Sequence, residues 1–124
     1  MSETGETTQP VSAITTHVLD TSRGRPAAGV AVKLELESID GSWKQIGQGS
    51  TDADGRAKNL LPPTFALHGG VYRLVFDTDA YFAAEDRESF YPEVVVVFTI
   101  RDPTQHYHVP VLLSPFGYST YRGS

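Results

Sequence analysis

Apolar and polar residues alternate along two stretches of the chain. Val30, Val32, Leu34 and Leu36 interleave with Ala31, Lys33, Glu35 and Glu37, and Tyr72, Leu74 and Phe76 interleave with Val71, Arg73 and Val75. Successive strand side chains point to opposite faces, so each stretch predicts a strand with one buried face. Further short runs rich in β-branched and aromatic residues predict strands at 14–20, 43–49, from Arg56 onward, 94–100, 106–113 and 118–122. Gly, Pro and Asp clusters punctuate them: the chain turns at 22–26, at Asp40-Gly41, at Asp52-Ala53-Asp54-Gly55 and at Ser114-Pro115. Asp40-Gly41 is a tight-turn signal that joins its two flanking strands as a hairpin. Residues 78–87 hold Ala80, Ala83, Ala84 and Glu85 behind Thr78 or Asp79 as a cap, which predicts one short helix. About eight short strands with a single helix define an antiparallel β-sandwich. The run Val94-Val95-Val96-Val97 is apolar on both faces. It reads as a central strand, the alternative being a strand that contributes to a subunit interface.

With 124 residues there is room for one domain. We place it at 14–124, behind a solvated tail, 1–13, that carries Glu3, Glu6 and several hydroxyl residues without an apolar run. Ten Lys and Arg against fifteen Asp and Glu give a net charge of −5, which argues against nucleic acid and anionic membranes as partners. There is no cysteine, so disulfides, thiolate metal sites and a cysteine nucleophile are excluded. The longest apolar run, 94–98, is far short of the roughly 20 residues that span a bilayer as a helix. Together with the lack of a secretory signal pattern, this predicts a soluble, cytoplasmic protein.

Four histidines are the main candidates for chemistry: His17, His68, His106 and His108. Strand alternation places His106 and His108 on one face with Tyr107 on the other, and places His17 with Thr15 and Leu19. Whether His17 and His108 meet is open at this level, since a strand histidine can equally be a hydrogen-bonded structural residue. A His-x-His pair with a third histidine could bind zinc, but no acidic residue adjoins it to orient the rings. The Asp52-Ala53-Asp54-Gly55 segment opens like a calcium loop, yet position twelve is Pro63 rather than a bidentate Glu. A plain turn fits better.

Two separated segments carry a resemblance. Thr16-His17-Val18-Leu19-Asp20, continuing to Gly24-Arg25-Pro26-Ala27-Ala28-Gly29-Val30, is one. The other is His106-Tyr107-His108-Val109-Pro110, running through Ser114-Pro115 to the terminal Tyr121-Arg122-Gly123-Ser124. With Phe90-Tyr91-Pro92-Glu93 between them, the chain resembles the 5-hydroxyisourate hydrolase branch of the transthyretin-like family over residues 14–124. The resemblance implies an all-β, eight-stranded transthyretin-like β-sandwich with one short helix. It implies a homotetramer of two dimers, with active sites in a channel where the dimers meet. The implied reaction hydrolyses an amide-type ring bond of 5-hydroxyisourate, giving 2-oxo-4-hydroxy-4-carboxy-5-ureidoimidazoline, without metal or other cofactor. Carried over by motif, the catalytic residues are His17, Arg56, His108 and Ser124. His17, Arg56, Tyr121, Arg122 and Ser124 would contact substrate, while His106 falls to a supporting or exposed position. Either His17 or His108 could be the base. The rival function is that of a transthyretin-like ligand carrier, which shares the sandwich but lacks the terminal Tyr-Arg-Gly-Ser and the histidine set.

Overall fold

A computed structural model describes residues 12–124. In chain order its elements are β1 (Ile14–Asp20), β2 (Arg25–Pro26), β3 (Ala31–Glu37), β4 (Trp43–Ser50), β5 (Arg56–Ala57), β6 (Gly70–Phe76), α1 (Thr78–Ala83), β7 (Val94–Ile100), β8 (Tyr107–Ser114) and β9 (Gly117–Thr120). Two sheets face each other. One runs β2-β1-β8-β9 with β5 also paired to β1, and the other runs β4-β3-β6-β7. Among the described residues nine strands appear where about eight are expected, because Arg25–Pro26 makes a two-residue pairing with the end of β1. The tail expected at 1–13 lies outside the described residues except for its last two. Of these, Ser12 donates its N–H to the Lys58 carbonyl at 2.8 Å, and the Ala13 carbonyl accepts from Tyr107 at 2.8 Å.

The alternating patterns produce the core directly. Val32 and Leu34 of β3 and Tyr72, Leu74 and Phe76 of β6 are fully buried and meet Ile14, Val18, Val109, Val111 and Leu113 from the opposite sheet. Burying a side chain of this size contributes about 1.5–3 kcal/mol, and the core is continuous between the layers. The hairpin at Asp40-Gly41 forms as expected, with β3 and β4 antiparallel and the Ser38 N–H on the Ser42 carbonyl at 2.7 Å.

Three sequence expectations are corrected here: the place of the valine run, the end of the helix and its cap. Among the described residues the valine-rich β7 is an edge strand, paired only with β6, and Val97 on its outer face is 56% exposed. Apolar residues on both faces therefore do not mark a central position in this sheet. The helix stops at Ala83 instead of residue 87. Asp86 turns left-handed (φ 58°), and the Arg87 and Asp86 N–H groups close onto the Phe82 and Ala83 carbonyls at 2.9 and 3.0 Å. This is a Schellman closure. At the other end the cap is Asp77, whose carboxylate accepts the Ala80 N–H at 3.1 Å.

The helix is pinned to the end of β1 by a buried carboxylate. Asp20 is fully buried and accepts from Tyr81 Oη at 2.8 Å, Arg87 at 2.6 Å and Ser22 Oγ at 2.6 Å. Burial pushes this carboxyl up, but the bonds from Ser22, Arg87 and Tyr81 outweigh it and hold the pKa at about 2. Burial, with Asp20 alongside, pushes Tyr81 up to about 12. No helix among the described residues is long and apolar enough to cross a membrane.

Candidate active site

The parallel pairing of β1 with β8 builds the site. Its register sets Thr15 opposite His108 and His17 opposite Pro110. In β1 the residues Ile14, Thr16, Val18 and Asp20 face the core, so Thr15, His17 and Leu19 share the outer face. In β8 the core-facing set is Tyr107, Val109, Val111 and Leu113, which leaves His108 on that same outer face. Thus two histidines far apart in sequence stand two register positions apart on one face.

Arg56 reaches this face through β5, where it pairs opposite His17. The preceding turn explains how. Asp52 accepts the Asp54 and Arg56 N–H groups on its carboxylate at 2.9 and 3.0 Å, and its own N–H binds the Arg56 carbonyl at 2.8 Å. The Arg56 N–H holds the Asp52 carboxyl below its ordinary range. Gly55 adopts φ 77°, and a Cβ there would stand 2.5 Å from the Val18 carbonyl oxygen, so only glycine permits β5 to lie against β1. The carboxylate that suggested a calcium loop is spent on ordering this turn.

The C-terminal residues close the third side. Beyond β9, Gly123 forms a bridge to His108 and donates its N–H to the His108 carbonyl at 2.8 Å. A cavity of about 230 Å³ results, lined by Thr15, Thr16, Arg56, Lys58, His106, His108 and Ser124. It holds two fixed cations and no acidic side chain, in a chain whose net charge is −5. His108 is half-buried, and its pKa is lowered by burial first and then by the positive charge of His106, Arg56 and His17. Its ring is neutral at neutral pH, which is the state of a base. Among the described residues no group of three or more His, Asp or Glu side chains is placed to hold a metal ion.

Of the residues expected from sequence, Arg56, His108 and Ser124 line this cavity, and His17 stands beside it on the same face. Tyr121 and Arg122 do not line it. They border a second groove, which shares His108 with the first and includes Val97, Phe98 and Tyr107; there Arg122 lies 4.6 Å over the Tyr107 ring and donates to Gln105 Oε1 at 2.9 Å. For Arg122 the reason is alternation about Gly123, which shares the His108 face and so sends Arg122 to the Tyr107 face. His106, set aside in the sequence reading, does line the cavity, and Thr15 Oγ1 lies 3.1 Å from its Nε2 and 2.8 Å from His108 Nδ1. The signal for His106 was its shared face with His108. Lys58 and Thr15 had no signal without the strand pairing.

The fold and site define a two-layer β-sandwich that carries a polar, cationic, histidine-bearing cavity on the outer face of one sheet. The HIUase/Transthyretin family model matches residues 14–123, and the chain belongs to that family. A 5-hydroxyisourate hydrolase of Mus musculus is 49% identical over 114 residues, covering 91% of this chain and 96% of its own. A probable 5-hydroxyisourate hydrolase of Caenorhabditis elegans is 51% identical over 119 residues, covering 96% of this chain and 87% of its own. Among solved structures, the Klebsiella pneumoniae 5-hydroxyisourate hydrolase superposes with a TM-score of 0.77 at 39% identity, over 90% of this chain and 98% of that one. Sea bream transthyretin in complex with thyroxine superposes with a TM-score of 0.83 at 38% identity, over 90% and 95%. Both branches share the fold, so the fold alone does not separate enzyme from carrier.

Proposed function

We infer that this chain is a hydrolase that opens the ring of 5-hydroxyisourate at an amide-type bond, giving 2-oxo-4-hydroxy-4-carboxy-5-ureidoimidazoline. The observation that carries the reading is the cavity itself: a neutral, half-buried His108 with Arg56, Lys58 and Ser124 around it and His17 alongside. Such a lining suits a small, oxygen-rich substrate. A carrier of apolar hormone-like ligands calls for a largely apolar pocket. Relatives bearing the hydrolase name at 49% and 51% identity support the same choice.

The mechanism follows from the positions. His108 takes a proton from water, and the water oxygen bonds to the ring carbonyl carbon. Arg56 stabilises the negative charge on the carbonyl oxygen through its planar donor fork. The carbon–nitrogen bond then breaks, and the departing nitrogen receives a proton from His17, which stands opposite Arg56. Ser124 hydrogen-bonds the substrate at the rim, and Lys58 adds positive charge beside Arg56. Tyr121 and Arg122 serve by fixing the terminal segment. The chemistry runs on the chain's own side chains, with no cofactor.

The reading includes a homotetramer built from two dimers. Each sheet ends in an edge strand, β7 in one and β9 in the other. Phe90, Phe116, Tyr118 and Tyr121 stand 67%, 66%, 42% and 57% exposed near those edges, a surface suited to a second copy. Sedimentation equilibrium should give four chains per particle; a monomer at micromolar concentration would reject the assembly. The function is tested by adding the protein to freshly generated 5-hydroxyisourate in 18O-labelled water. Accelerated decay with one label in the new carboxylate supports hydrolysis. Decay no faster than in buffer refutes it.

A further inference from the structure

We propose that Thr15 is a positioning residue whose hydroxyl couples the proton on His106 to the tautomer of His108. The proposal rests on the reading of His108 as the base. Thr15 Oγ1 lies 3.1 Å from His106 Nε2 and 2.8 Å from His108 Nδ1, and the two rings are near parallel, 26° apart, with centroids separated by 6.4 Å. Thr15 is only 4% exposed, so water has little access to replace either bond. Its β-branched side chain has a restricted χ1, which keeps the hydroxyl between the rings.

A hydroxyl carries one hydrogen, so it donates to one ring and accepts from the other. In the first arrangement His108 donates its Nδ1–H to Thr15, and Thr15 donates to a bare His106 Nε2. His108 Nε2 then carries no proton and is the atom able to take one from water. In the second arrangement His106 donates its Nε2–H to Thr15, and Thr15 donates to His108 Nδ1. The His108 proton then sits on Nε2, which can no longer take one from water. A protonated His106 carries hydrogen on both nitrogens, and so permits only the second arrangement. Protonating His106 therefore switches off His108 without protonating it.

This differs from simple charge repulsion, which acts on His108 through space with or without Thr15. The groups that face His108 are His17 from β1, Arg56 from β5, Lys58 beyond β5 and His106 just ahead of β8. Two of these neighbours are histidines, His17 and His106. Of the two, His106 shares a hydrogen-bond partner with His108, the Thr15 hydroxyl. His106 is exposed, so its ring is open to solvent.

The test is imidazole 15N NMR of the full chain between pH 5 and 9, without substrate. In the wild type and in Thr15→Ser, His108 should pass from the Nδ1–H to the Nε2–H tautomer as His106 protonates. In Thr15→Val, which keeps the shape and removes the hydroxyl, the two should titrate without that link. His106→Asn, at an exposed position, gives the same answer if the valine variant does not fold: the neutral His108 ring keeps one tautomer at every pH above its own titration. In turnover, general-base catalysis is worth about 10²–10⁴-fold, and Thr15→Val should lose at least about tenfold in kcat with KM held within about twofold. Thr15→Ser should restore it. A His108 tautomer indifferent to His106 in the wild type overturns the proposal, as does full kcat in Thr15→Val. Because the NMR signal needs no substrate, a coupled pair in a protein that does not hydrolyse 5-hydroxyisourate would support the coupling and refute the enzymatic reading alone.

Discussion

Replacing Gly123 with alanine should remove activity while leaving the fold intact. A Cβ built at Gly123 lies 2.6 Å from His108 Cδ2, 3.3 Å from His108 Cγ and 3.2 Å from Pro110 Cγ. Ordinary contact begins at 3.4 Å, so the ring or the terminal segment must shift by about 0.8 Å (3.4 − 2.6). The backbone has little freedom to yield, because the Gly123 N–H is bonded to the His108 carbonyl at 2.8 Å. Turning the ring instead takes it off its rotamer, costing about 0.5–1.5 kcal/mol, and strains the Thr15 bond. That is a small loss of stability at the end of the chain. For the reaction the same displacement is large, since misplacing a catalytic group by about 1 Å costs about 100-fold. We therefore predict kcat/KM about 100-fold lower in Gly123→Ala, with thermal unfolding shifted by only a few degrees. Gly117→Ala is the matched control, its nearest new contact being Ser114 Oγ at an ordinary 3.7 Å, and should behave as wild type. The assay is the ultraviolet decay of 5-hydroxyisourate beside a thermal melt. Activity within about threefold of wild type in Gly123→Ala would refute the claim that the terminal packing sets the His108 ring.

Arg56→Lys keeps the charge but loses the planar fork, and should cost about 2.7–4 kcal/mol of transition-state stabilisation, roughly 100- to 1000-fold in kcat; Arg56 is exposed, so an unchanged melt should accompany the loss. His108 should titrate below 6.5 by NMR, because burial and its cationic neighbours disfavour the charged ring. The unfolded chain then binds the extra proton first, so this site contributes stability above pH 6.5 that is lost as pH falls through the folded pKa. Asp20 behaves likewise at lower pH. With its pKa held at about 2 against 3.8, it contributes about 2 kcal/mol above the unfolded value, lost as pH drops through 3.8 toward 2. Urea unfolding of Asp20→Asn should show lower stability at pH 7 and lack that part of the acid dependence; an unchanged acid slope would contradict the assignment.

Residues 30–36 and 71–76 show how far the sequence reading reaches. Their alternation is a local property, and it correctly placed Val32, Leu34, Tyr72, Leu74 and Phe76 in the core. The parallel pairing of β1 with β8 is different, for it joins segments more than ninety residues apart in the chain, as in Thr15 and His108. No local pattern encodes that register, so the placing of His17 and His108 on one face of neighbouring strands could not be read, nor could the Thr15 link to His106. Arg56 and Ser124 came from family resemblance rather than from spacing, and the structure explains their arrival through the Asp52 turn and the Gly123 bridge. The valine run misled for a physical reason. Apolar residues on both faces are equally consistent with a central strand and with an edge, and only the sheet order decides. Arg122 was assigned to substrate by its place in the terminal motif, whereas alternation across β8 turns it onto Tyr107.

The central claim is that the cavity around His108 hydrolyses 5-hydroxyisourate. It is tested most directly by comparing wild type with His108→Asn in the decay of freshly generated substrate. The account predicts a marked acceleration by the wild type and a fall to the spontaneous rate in the variant, with the same melting profile. An equally active His108→Asn would contradict it.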